Sequence, residues 1–313
     1  MDNNEIKSIT INAVGDCSIG NDEKYPYLNS FNYIFEKVNR DYSFFLKNVR
    51  PIFEKDDLTI ANLETTLTNT TNRMKKRFNF KGDPSYVKIL NEGSVEVVNV
   101  ANNHIYDYLQ AGYIDTIINL EKAGLKYFGS DVFPEFKYEN KLIEEIKGLK
   151  VGFLGYICWP KLDIRKKLKE DLAYMRENTN LIIVSFHWGK EFNNYPTSSQ
   201  RKIAYYAIDN GADLILGHHP HVIQGIENYK NKNIIYSLGN FCFGGQINFK
   251  DKDTFIYQHT FTFNDDVLIK ETNEVIPCAI SSLKNKNNCQ PIPLEGKDKI
   301  RVLRRIKKYS QGL

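Results

Sequence analysis

Acidic, amide and imidazole side chains recur in this chain as short clusters, each directly behind an apolar run. The clusters are Gly15-Asp16, Asn62-Leu63-Glu64, Asn102-Asn103-His104, His187-Trp188-Gly189, Gly217-His218-His219-Pro220-His221 and Gly239-Asn240-Phe241. Asp, Glu, Asn and His form a nitrogen and oxygen donor set suited to Mn, Fe, Zn or Mg, and Cys17 is the one thiol in these turns. Such a set can support metal-assisted attack of water on a phosphoryl or acyl centre. His219-Pro220-His221 is the most informative piece: in an extended segment residues i and i+2 face the same way, and proline disfavours helix. That spacing predicts two imidazoles aimed at one metal cluster. Each residue alone has a blander reading. A lone loop histidine is more often a hydrogen-bonded residue than a ligand. Asn102 and Asn103 could be turn formers, Asp16 a helix N-cap and Glu64 a surface charge. Those readings leave unexplained why carboxylate, carboxylate, amide-His, His and His-x-His follow one another only at strand ends.

The elements that must position these residues are short apolar runs alternating with helical patterns, which predicts an α/β fold built from βαβ units. Strands are expected at Ser8–Val14, Leu58–Ala61, Val95–Val100, Val151–Tyr156, Leu181–Ser185, Leu214–Leu216 and Ile234–Ser237. Crossover helices are expected at Leu109–Ala123, stopped by Gly124, and at Ser198–Asp209, with Ser198 as N-cap and Gly211 beyond the end. In a predominantly parallel sheet the carboxyl ends of the strands share one rim, so the polar clusters converge there. From Thr254 to about Ile280 alternation around Asn264-Asp265-Asp266 predicts an antiparallel hairpin at a sheet edge, and Lys299–Lys308 predicts a basic helix or tail. The expected organisation is one domain over residues 1–265, extended by an edge strand and basic helix or tail over 266–313, without repeats.

Composition agrees with an ordinary globular protein: 313 residues, 42% hydrophobic, 26% charged and a formal charge of +4. The basic runs Lys75–Arg77, Arg165–Lys167 and Arg301–Lys308 read as solvated faces, which argues against nucleic-acid binding. Cys17, Cys158, Cys242, Cys278 and Cys289 are widely spaced with no CxxC pair, so they form neither a disulfide framework nor a zinc knuckle. The N-terminus lacks the pattern of a signal peptide and no apolar stretch approaches membrane-spanning length, which predicts a cytoplasmic protein. Tyr25, Tyr27, Phe78, Phe80, Tyr106, Trp159, Trp188 and Tyr195 lie near the clusters and could line a cleft, Trp188 foremost, although such residues are more often core; His259, inside the hairpin, reads as structural.

The segments Ala13-Val-Gly-Asp16, Ala61-Asn-Leu-Glu64, Val100-Ala-Asn-Asn-His-Ile-Tyr-Asp107, Phe186-His-Trp-Gly-Lys-Glu191, Gly217-His-His-Pro-His-Val222 and Tyr236-Ser-Leu-Gly-Asn-Phe241 together resemble the calcineurin-like metallophosphoesterase superfamily. More closely they resemble the CapA/PgsA family of bacterial poly-γ-glutamate capsule biosynthesis proteins, from residue 9 to about 245. The resemblance implies a four-layer α-β-β-α sandwich with two divalent ions at the strand ends. It places Asp16, Glu64, Asn103, His187, His219 and His221 as ligands, with Glu64 bridging. His104 takes the place of the general acid, oriented by Asp107, and Asn62, Glu191, His218 and Asn240 stand around the ligands or face the substrate. The usual first motif of the superfamily, Asp-x-His, reads Asp16-Cys17-Ser18 here, so the first metal has one ligand fewer or takes Ser18, Glu64 or water. The implied function is a metal-dependent hydrolase of capsule or poly-γ-glutamate biosynthesis or processing. Its substrate would be a small molecule or polymer with a phosphoester or a γ-glutamyl amide bond. The alternative is a non-catalytic, metal-binding accessory subunit beside ligase or export partners.

Overall fold

A computed structural model describes residues 5–129, 141–159, 162–245 and 250–313. Two sheets form its centre. The eight-stranded sheet runs Ile292–Pro293, Val267–Ala279, Asp253–Asn264, Ile6–Ser18, Leu58–Leu63, Val97–Asn99, Lys126–Phe128, with Asn240–Phe243 also pairing with Ile6–Ser18. The six-stranded sheet runs Ile226–Tyr229, Lys232–Ile235, Leu214–His218, Leu181–His187, Leu149–Ile157, Lys141–Ile146. Neighbours are parallel from Ile6–Ser18 to Lys126–Phe128 in the first sheet, and from Leu149–Ile157 to Lys232–Ile235 in the second, so each sheet presents a rim of carboxyl ends.

Alternation along the strands divides the core into layers. Ile9, Ile11, Leu58, Ile60 and Val97 of the first sheet meet Phe153, Leu181, Ile183, Leu214 and Leu216 of the second in one buried cluster. The opposite residues face helices. Ala61, Leu63 and Val98 pack with Tyr113, Ile117 and Leu120 of helix Leu109–Lys122, while Ile182, Val184 and Phe186 pack with Leu168, Leu172 and Met175 of helix Arg165–Asn178 and with Ala204 and Ala207 of helix Ser198–Asp209. The result is a four-layer α-β-β-α sandwich. Burying each large apolar side chain contributes roughly 1.5–3 kcal/mol. Both expected crossover helices are present, and the second is capped by Thr197 instead of Ser198, in a capping box with Gln200.

Helix Arg165–Asn178 is a third crossover, between strands Leu149–Ile157 and Leu181–His187. The run that opens it is basic, and the buried Leu168, Leu172 and Met175, together with Asp171, which accepts from the Tyr156 hydroxyl at 2.7 Å, tie it to the sheet. The hairpin is formed by Asp253–Asn264 and Val267–Ala279, with Asp265 in the left-handed region, φ 51°. The basic C-terminal segment folds as helix Gly296–Tyr309, which inserts Val302 and Ile306 into the inter-sheet core and pairs Arg301 and Arg305 with Asp253. No helix among the described residues is long and apolar enough to cross a membrane.

Candidate metal centre

The parity of each strand decides which of its polar residues reach the inter-sheet space. In Leu58–Leu63 the even positions Leu58 and Ile60 point inward, so Asn62 and, one step beyond the strand, Glu64 continue that face. In Leu181–His187 the inward set is Leu181 and Ile183, and His187 follows; in Leu214–His218 it is Leu214 and Leu216, and His218 follows. Strand Ile6–Ser18 needs a correction of phase. Its inward residues Ile9, Ile11 and Ala13 are odd, yet Asp16 must share their side. A register shift against Leu58–Leu63 between Ala13 and Asp16 supplies the extra residue, turning Asp16 inward and Cys17 outward into the core under the helices. Gly15 makes this possible, because a Cβ there would sit 1.9 Å from the carbonyl oxygen of Gly239, the group that accepts the Asp16 N–H at 2.9 Å.

At the rim the two sheets meet around two fully buried carboxylates, Asp16 and Glu64. Asn62 donates to Asp16 Oδ1 at 2.8 Å, the His219 N–H donates to Oδ2 at 3.3 Å, and His221 Nδ1 lies 3.1 Å from the same oxygen. Glu64 Oε1 lies 3.7 Å from the Nε2 atoms of both His187 and His221 and 3.9 Å from His104 Nε2. Two donor groups emerge whose ligand atoms lie within 4.8 Å of one another: Asp16, Glu64 and His187, and Glu64, His219 and His221. Glu64 belongs to both. Asn103 joins through its Oδ1, 2.9 Å from His187 Nε2, and Asn240 through its Oδ1, 2.9 Å from His221 Nδ1.

The electrostatics suit a cation. Burial would raise the Asp16 carboxyl, but its contacts with His218 and His221 outweigh burial and hold it well below the usual range. Burial and then the charge of Asp16 push Glu64 well above its usual value. Burial works against the His221 imidazolium, yet Glu64 and Asp16 raise it to about 10. Burial and the neighbouring imidazoles push His219 down to about 4 and His187 well below its ordinary value, the neutral forms that ligate metal. Both Glu64 oxygens, His187 Nδ1 and His219 Nδ1 have no hydrogen-bond partner among the described residues. Buried carboxylate oxygens without a donor are costly unless a cation satisfies them, so the residues present fit divalent metal.

The other sequence-derived residues fall as follows. His104 stacks on Phe80 with ring centroids 4.1 Å apart, and its Nδ1 is 2.6 Å from Asp107 Oδ2. His218 lies beside Asp16, Nδ1 to Oδ1 3.5 Å, so the strand after the departed Asp-x-His motif still meets an imidazole. Ser18 Oγ accepts from Thr65 instead of facing empty space. Glu191 is exposed and stands at the mouth, lining with His104, His221, Arg77 and Phe243 a cleft of about 220 Å³.

Three expectations change. His219-Pro220-His221 is not extended: His219 and His221 adopt φ 93° and 57°, and a tight turn, not strand alternation, aims both rings at Glu64. Gly239-Asn240-Phe241, expected as a turn at a strand end, opens strand Asn240–Phe243, which crosses to the other sheet and pairs Asn240 with Asp16. Trp188 takes the core reading, 1% exposed, stacked on Phe186 and donating to the Tyr236 carbonyl at 2.8 Å, while Tyr25, Phe78 and Phe80 line the cleft. Lys76, read within a solvated run, turns inward to Asp107. Asn99 and Asn102 also hold the site, through Asn62 at 2.9 Å and the Leu63 carbonyl at 2.8 Å; Asn102 was visible only as a turn former.

Comparisons with known proteins accord with this geometry. The family model described as "Bacterial capsule synthesis protein PGA_cap" matches residues 10–245, a span that contains every residue of the centre. The chain is 30% identical over 312 residues to the capsule biosynthesis protein CapA of Bacillus anthracis, covering 90% of this chain and 72% of that protein. It is 32% identical over 215 residues to the PGA biosynthesis protein CapA of Bacillus subtilis (strain 168), covering 62% of this chain and 55%, about half, of that protein. Among solved structures, a crystal structure described as a novel phosphatase from Mycoplasma pneumoniae superposes with a TM-score of 0.52 at 16% identity, over 87% of this chain and 95% of that one, a likeness of fold. With a rim of carboxylates and imidazoles on its four-layer sandwich, and matched by the family model over residues 10–245, this chain belongs to the bacterial capsule synthesis protein family PGA_cap.

Proposed function

We propose that this protein is a metal-dependent hydrolase in the synthesis or processing of a capsule polymer, cleaving a phosphoester or an amide bond of a poly-γ-glutamate-like chain. The observation that carries the reading is Glu64, a fully buried carboxylate with both oxygens unpartnered among the described residues and imidazoles of His187 and His221 at 3.7 Å. Its membership of two donor groups supports a pair of ions held by Asp16, Glu64, Asn103, His187, His219 and His221. Divalent ions in such a site supply Lewis-acid activation of water and neutralise charge at the attacked centre.

The surrounding residues have separable tasks. Asp107 engages His104 Nδ1, which fixes the ring and leaves Nε2, on the Glu64 side, to protonate a leaving group. Asn62 and Asn240 hold Asp16 and His221 in orientation, as outer hydrogen bonds do for metal ligands. Glu191, Arg77 and Phe78 at the cleft mouth would contact the substrate beyond the scissile bond. Ligase or export subunits that hand over the polymer belong to the same proposal, supported by the capsule biosynthesis names of the relatives.

The test is elemental analysis of the purified protein, then a screen of phosphoester and γ-glutamyl substrates with Mn, Fe, Zn and Mg. His104→Ala is expected to retain metal and lose turnover by about 10²-fold or more. Asp16→Ala is expected to lose metal. Protein that neither carries nor accepts any of these metals would end the reading.

A further inference from the structure

We propose that Lys76 is a positioning residue of this centre, clamping the turn that carries Asn103 and His104. The inference rests on the reading of the rim as a metal site. Asp107 is fully buried and its Oδ2 is already engaged by His104 Nδ1 at 2.6 Å and by the Phe80 N–H at 2.5 Å. Its Oδ1 is met by the Lys76 ammonium. The same Nζ donates to the Asn103 carbonyl at 2.7 Å, and an ammonium has the three donors needed to serve several acceptors at once. Lys76 thereby ties together both ends of the Asn103 to Asp107 turn, from the residue whose amide meets His187 to the carboxylate that orients His104.

The flanking chain completes the clamp. Met74 N–H donates to the Asp107 carbonyl at 2.9 Å, and Phe80 stacks on His104. Lys75 and Arg77 on either side are exposed, so the inward turn of Lys76 is specific to that residue and not a property of the basic run. An ion pair on the surface would contribute little, but one partner here is a carboxylate removed from water, and deleting the cation leaves that charge without a counter-ion. The turn then relaxes, and the Asn103 amide leaves the position from which it can share a cation with His187.

Titration with Co²⁺, followed by its visible absorption, tests this on the full chain. Lys76→Met is expected to change the absorption spectrum and weaken Co²⁺ binding about tenfold, the scale of losing an outer partner of a ligand. Lys76→Arg should restore the spectrum at least in part, and Lys75→Met should match the parent. If Lys76→Met does not fold, Lys76→Gln, which keeps a donor for the Asn103 carbonyl without the charge, replaces it and is expected to show the same spectral change. A lower melting temperature with unchanged spectrum and affinity would reduce Lys76 to a merely structural ion pair and overturn the proposal. Absence of any Co²⁺ spectrum in the parent protein would instead overturn the metal reading, and this inference with it.

Discussion

Asp16 and Glu64 are both fully buried, yet the hydrogen-bond donors that surround them are unequally shared. Asp16 has Asn62, the His219 N–H and His221, and keeps its charge; Glu64 has none among the described residues, so burial favours its proton. Burial opposes the His221 imidazolium, but Asp16 and the ionised form of Glu64 raise it to about 10, so at neutral pH Glu64 and His221 hold at least one proton between them where His187 and His219 hold none. Ligation requires Glu64 ionised and His221 neutral, so a cation entering the centre must displace protons. Because those protons are held more firmly as pH falls, Mn²⁺ affinity is expected to increase between about pH 6 and 9, with on the order of one to two protons released per ion. Calorimetry in buffers of different ionisation enthalpy reads that number, and heats independent of buffer would contradict it. His219 and His221 also hold left-handed φ values, where non-glycine backbone strain of about 1–3 kcal/mol is tolerated to aim their rings at Glu64.

A single bulge in strand Ile6–Ser18 decides whether Asp16 belongs to the centre. Side chains alternate with period two, so without the extra residue between Ala13 and Asp16 the carboxylate would point under the helices and Cys17 toward the metal site. The bulge in turn depends on the backbone of Gly15 lying against Gly239. Gly15→Ala is therefore expected to cost about 1–3 kcal/mol, or more if the strands cannot part, and to weaken metal binding together with stability. Chemical denaturation of the metal-free protein measures the first effect. A variant as stable as the parent and fully metal-loaded would show that this contact is not what turns Asp16.

The centre draws Asp16 and Glu64 from one sheet and His187, His219 and His221 from the other, so an ion bound there would fasten the two halves of the sandwich. Metal at about 100-fold over its dissociation constant should stabilise the fold by about 2.7 kcal/mol. Differential scanning calorimetry with and without chelator should show the corresponding rise in melting temperature, absent in Asp16→Ala; equal melting in both conditions would mean the ion does not bridge the sheets. Much of this molecule was legible from local pattern. Strand ends, the helices over 109–122 and 198–209, the hairpin and the donor types at the rim follow from periodicity, capping residues and side-chain chemistry, all of which act over a few neighbouring residues. What local pattern could not carry was set by contacts distant in sequence. Trp188 is core because the Tyr236 carbonyl and Phe186 receive it, Asn240 meets Asp16 because the chain changes sheet there, and Lys76 leaves solvent because Asp107 is buried. The sequence by itself determined which chemical groups stand at the strand ends; the tertiary structure alone decided which of them face one another, because facing depends on bulges, turns and buried partners supplied from elsewhere in the chain.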